Sequence, residues 1–176
     1  MANFYNLLGF PLKLAPEALD WLRGTAAALS WICQEGEDVS GQVPDPLTLT
    51  DPEPRMLDLA PDQWETARQL FAEHSVDAGC WIEPDTEAGA EVLSVTTDVS
   101  AQVEVLAGLI QATLVRFGIE EPVGFEWAVT CSAPIWHEFS GGAVVITRRA
   151  VGFRDTGSWL TGALQRLQAT GTALAT

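Results

Sequence analysis

The side chains best able to do chemistry cluster in residues 124–142, which read Gly-Phe-Glu-Trp-Ala-Val-Thr-Cys-Ser-Ala-Pro-Ile-Trp-His-Glu-Phe-Ser-Gly-Gly. Cys131 and His137 lie six positions apart, and a histidine within reach of a cysteine can hold it as a thiolate nucleophile. Such a pair also needs an oxyanion site and a third group to orient the base, and the sequence signals neither. Ser132 with His137 and Asp155 is a weaker set, because no nucleophile-elbow pattern surrounds the serine. Cys131, His137, Glu138 and Glu126 are plausible metal ligands by type. Structural zinc sites announce themselves as closely spaced pairs, however, and Cys33, Cys80 and Cys131 form no Cys-x-x-Cys. No metal and no cofactor is expected, and the cysteines read as free buried thiols of a reducing compartment. Gly141-Gly142 lacks the pattern of a phosphate loop and reads as a turn or bulge feeding a strand. Trp127 and Trp136 are core or rim aromatics that become binding anchors wherever they reach the surface. His74 stands alone at a helix end, where the helix dipole favours a cation.

This segment also resembles something broader. A strand Gly124–Ala128, then Thr130–Ser132, then a Phe-x-Gly-Gly-Ala turn at Phe139–Ala143 looks like a group of small uncharacterised proteins of bacteria and their phages or mobile elements. The resemblance covers about a quarter of the 176 residues. It implies a fold and a setting and carries no activity.

The elements around this segment follow from periodicity and punctuation. Phe10, Leu12 and Leu14 alternate as a strand, which Pro11 confines to an edge. Pro16 opens a helix carrying Leu19, Leu22, Ala26 and Leu29 and ending near Cys33, and Pro61 opens a second one to about His74. Strands are expected at 76–82 and 91–97, joined by an acidic hairpin loop. A helix capped by Asp98 or Ser100 then presents Val103, Leu106, Ile110, Thr113 and Phe117 and stops at Gly118. Strands at 123–130, 143–148 and 151–154 follow, the last two joined by a tight turn at Arg149-Ala150. A closing helix capped by Thr156 or Ser158 carries Trp159, Leu160, Leu164 and Leu167. Hairpins outnumber crossovers, so the fold class is α+β, with a mainly antiparallel sheet and helices packed on one face. Residues 1–168 read as a single domain, 34–59 as a proline-rich acidic loop, and 169–176 as a frayed tail.

Charge separates the segments further. The chain is -15 overall, and residues 35–121 alone carry 19 acids against Arg55, Arg68 and Arg116. Direct binding to nucleic acid is disfavoured, because phosphate contacts need clustered bases. No 20-residue apolar run spans a membrane and no secretory signal opens the chain, so a cytoplasmic location is expected. The function expected is therefore a non-enzymatic acidic module that binds a protein partner with a basic surface. In its sharper form it is an inhibitor presenting a nucleic-acid-like face, with Glu35, Glu37, Asp38, Asp45, Asp51, Glu53 and Asp58 as the acidic contacts and Trp127 and Trp136 as anchors. The alternative is a small enzyme built on Cys131, His137 and Glu138.

Overall fold

The computed structural model describes residues 4–35, 59–85, 92–97, 101–131 and 140–170. Along the chain these form β1 (Phe4–Leu7), β2 (Gly9–Lys13), α1 (Pro16–Glu35), α2 (Pro61–His74), β3 (Trp81–Pro84) and β4 (Val92–Thr96). They continue as α3 (Val103–Phe117), β5 (Val123–Cys131), β6 (Ser140–Thr147), β7 (Ala150–Asp155) and α4 (Thr156–Thr170).

The strands divide into two antiparallel sheets rather than one, ordered β1-β5-β6-β7 and β2-β4-β3. The α+β class expected from the sequence holds. The chain crosses from one sheet to the other at buried Leu8, between β1 and β2. Phe10 of β2 stacks on Phe125 of β5, with ring centroids 4.6 Å apart and planes 5° from parallel, which locks the two sheets together.

The core forms where α1, α2 and α3 meet these sheets. Leu22, Leu29, Leu106, Leu109, Ile110 and Leu114 are fully buried there, and Val144 and Ile146 of β6 close it from the larger sheet. The apolar residues of α3 recur every three to four positions, so one face of the helix is continuously apolar. Gly118 ends α3 in the left-handed conformation (φ 64°), which a glycine adopts without steric cost.

Polar contacts tie the three helices at one end. Gln63 is 6% exposed, donates to the Trp21 carbonyl at 2.9 Å and accepts the Ala60 N–H at 2.7 Å, so one side chain satisfies both the start of α2 and the body of α1. Bare Gly24 makes room for it, since a Cβ there would run into the Gln63 amide and Leu59. Asp62 Oδ2 accepts from Trp21 Nε1 at 3.3 Å and from Arg116 Nε at 2.6 Å, joining α2 to α1 and α3.

The Arg116 guanidinium, helped by the Trp21 indole, holds the Asp62 carboxyl below its usual range. A carboxyl depressed in the folded state contributes stability above its unfolded pKa of about 4, and that contribution is lost as the pH falls below it. The Asp62 side chain is 40% exposed, so solvent screens the contact. Asp62→Asn is expected to cost about 1 kcal/mol at neutral pH, with the gap from wild type closing in acid, as read by urea unfolding across pH.

Several boundaries differ from the sequence reading, each for a local reason. β1 was not anticipated, because a four-residue strand finds its partner in β5, with Phe4 opposite Cys131. The first expected strand lies one residue earlier, at β2. The strand expected at 76–82 begins only at Trp81: Asp77 Oδ1 takes the Gly79 N–H at 2.9 Å and Gly79 sits at φ 58°, so a turn occupies its first half. Asp98 and Ser100 lie outside the described residues, and Gln102 holds the N-cap position of α3 without a side-chain bond. α4 is capped by Asp155, whose Oδ1 takes the Ser158 N–H at 2.7 Å, rather than by Thr156 or Ser158. The β6–β7 turn falls at Arg148-Arg149, where Thr147 Oγ1 accepts the N–H groups of Arg149 and Ala150.

Candidate functional site

The larger sheet and the start of α4 line an open cavity of about 590 Å³. Pairing places its walls. Trp127 stands opposite Gly142, which stands opposite Asp155, so one row across β5, β6 and β7 reads indole, bare backbone, carboxylate. The neighbouring row reads Glu126, Ala143, Arg154 on the other sheet face.

The two glycines are used here. A Cβ on Gly142 would meet the Trp127 ring and come within 2.5 Å of the Arg154 carbonyl, so the indole lies directly over the glycine. Trp127 is steadied from its far side by Phe153, in an edge-on contact with centroids 6.4 Å apart. A Cβ on Gly141 would strike the Trp127 carbonyl. Gly141 instead exchanges two bonds with Thr156, donating its N–H to Oγ1 at 3.2 Å and accepting the hydroxyl at its carbonyl at 3.1 Å. That exchange pins the first residue of α4 to β6 and carries Trp159 to the cavity wall.

The electrostatics of the lining are simple. Asp155 is held below the usual carboxylate range by the Ser158 hydroxyl and backbone N–H, so it is ionised at neutral pH. Glu126 is exposed and has no hydrogen bond or ion pair among the described residues, and Arg154 lines the same space. Asp155 thus shares the sheet face of the Trp127 indole, whereas Glu126 and Arg154, which also line the cavity, stand in the row of the opposite face.

Of the residues singled out from the sequence, Glu126, Trp127, Gly141, Gly142 and Asp155 line this site. Glu35 closes α1 and Cys131 closes β5. Glu37, Asp38, Asp45, Asp51, Glu53, Asp58, Trp136, His137 and Glu138 lie outside the described residues, as does Ser132. Trp159 and Arg154 were not singled out. Trp159 reads in sequence as part of the apolar stripe of the closing helix, yet Trp159, Leu160 and Leu164 are 52%, 53% and 50% exposed. No sequence signal gives this away, because burial of α4 depends on what packs beside it.

Two other features bear on chemistry. Burial, reinforced by Asp77, pushes the Cys33 thiol up to about 11 and the Cys80 thiol up to about 12, so neither is a thiolate at neutral pH. Among the described residues no group of three His, Cys, Asp or Glu side chains could hold a metal ion, and no helix is long and apolar enough to cross a membrane. No family model, curated protein or solved structure matches the chain.

Proposed function

We propose that this chain is a non-enzymatic protein-binding module that takes a partner with a basic surface and seats one of its lysine or arginine side chains in the Trp127–Trp159 cavity. The observation that carries this reading is the lining: two indoles beside the ionised Asp155. A cation over an indole face is attracted by the ring and by neighbouring carboxylates alike, and partly exposed tryptophan is the residue type most enriched where binding energy concentrates. Glu126 and Arg154 share the opposite sheet face and offset each other in charge, which leaves Asp155 as the carboxylate on the face of the Trp127 indole.

The wider charge pattern supports the same reading. Four of the eight bases among the described residues are spent on internal ion pairs, Arg23–Asp20, Arg68–Glu65, Arg116–Asp62 and Arg148–Glu120. Glu17, Glu83, Glu104, Glu121 and Glu126 make no such pair among the described residues. The sharper form, an inhibitor with a nucleic-acid-like acidic face in a bacterial or phage cytoplasm, rests on the acids of 35–58, where only Glu35 belongs to a described element.

The test is fluorescence anisotropy with a labelled oligolysine peptide and an oligoglutamate control, read against the Asp155→Asn and Trp159→Ala variants. Saturable binding of the lysine peptide is expected, weakened about tenfold or more by each variant. General attraction to a chain of charge -15 would survive both changes, so unchanged affinity in the variants would remove the cavity from the account.

A further inference from the structure

The sheet edges of this fold are guarded unequally. Edge strands invite pairing with another chain unless they are short or carry proline or lysine. β1 has four residues, β2 carries Pro11 and Lys13, and β3 has four residues ending in Pro84. β7 has six residues, Ala-Val-Gly-Phe-Arg-Asp, with β6 as its one sheet neighbour among the described residues and no proline or lysine. It also leaves Phe153 46% exposed.

The sequence of β7 and its turn is self-complementary in one antiparallel register. Val151, Phe153 and Asp155 share a face of β7, since side chains alternate, and Arg149 lies in the turn just before the strand. Pairing two copies about Gly152 sets Val151 opposite Phe153 of the second copy and Arg149 opposite Asp155 of the second copy, and symmetry repeats both pairs. Slipping the register by one residue in one direction sets Arg149 against Arg154. Slipping it in the other sets Arg154 against Val151 and Asp155 against Ala150, with no unlike charges opposed. Arg149 is exposed and has no ion pair among the described residues, and Asp155, exposed as well, accepts the Ser158 N–H at Oδ1 as it caps α4.

We infer that two copies of this chain associate edge to edge through β7, forming one eight-stranded antiparallel sheet across a two-fold axis at Gly152. The contact is isologous, so each unlike-charge pair occurs twice. The bulk negative charge of the two copies is screened beyond about 8 Å at physiological salt, whereas the paired side chains are in contact. Arg149 of the second copy takes Asp155, which also lines the cavity, so the association and the partner reading share that carboxylate; sedimentation without peptide and anisotropy on Trp159→Ala read the two separately.

Sedimentation equilibrium over a concentration series, at physiological salt and on the full chain, provides the test. Wild type is expected to be a dimer at the top of the series. Arg149→Glu alone and Asp155→Lys alone place like charges together twice and are expected to be monomers, each shown folded by circular dichroism. Mixed one to one, the two variants oppose unlike charges at both contacts, and the mixture is expected to regain the dimer. A monomeric wild type, an undiminished Arg149→Glu dimer, or two folded variants that stay monomeric when mixed would each overturn the inference. Should the Asp155→Lys chain fail to fold for want of its helix cap, Phe153→Lys takes its place as a second disruptive variant, and a wild-type dimer constant there would overturn it equally.

Discussion

Gly142→Val is expected to lower stability by about 3 kcal/mol and to abolish binding at the cavity. The position has no room. A Cβ alone would overlap the Trp127 indole and approach the Arg154 carbonyl to 2.5 Å, and one of these obstacles is backbone that cannot swing away. Relief requires parting β6 from β7 or expelling Trp127 from its place against Phe153. Either movement dismantles the wall that the two tryptophans make. Urea unfolding checks the first expectation through a lower midpoint at unchanged slope. Peptide anisotropy checks the second. A variant as stable as wild type would mean that the indole does not lie over Gly142.

Leu106→Ala is expected to cost about 3–4 kcal/mol while leaving the cavity's affinity near wild type in whatever fraction stays folded. Leu106 is 0% exposed on α3, within the core that α3 shares with α1, α2 and the larger sheet. Truncating it removes buried methyl groups and leaves a void that a helix packed on several sides cannot collapse to fill. Against a typical total of 5–15 kcal/mol this is a large share. The contrast between the two variants is informative. Gly142→Val strikes the site and the fold together, whereas Leu106→Ala strikes the fold alone. A cost under 1 kcal/mol would show that the core is not centred on α3.

The helices were legible in the sequence because their signals are local. Pro16 and Pro61 open α1 and α2 where expected, and the apolar spacing from Val103 to Phe117 gives α3 its bounds. The β5–β6–β7 meander was legible for the same reason, since each strand pairs with its neighbour in sequence. What was not legible depends on distant partners. β1 is four residues whose pairing with β5 spans most of the chain, and the division into two sheets is decided by where the chain crosses at Leu8. The strand expected from Val76 was overridden by the Asp77–Gly79 turn, where side-chain hydrogen bonding outweighed apolar alternation. In the site, Trp127 was legible as an anchor by type and place. Trp159 and Arg154 were not, because the Gly141–Thr156 exchange that brings α4 to the cavity links residues whose adjacency only the sheet register creates.

The most direct test of the binding role is a capture experiment from cell lysate, with wild type and an Asp155→Asn/Trp159→Ala double variant as parallel baits, washed at low and at high salt and read by mass spectrometry. The account predicts a basic protein held by wild type at low salt, shed at high salt because exposed charge contacts are screened, and missing from the double variant. The same proteins on both baits, or none on wild type at either salt, would contradict it.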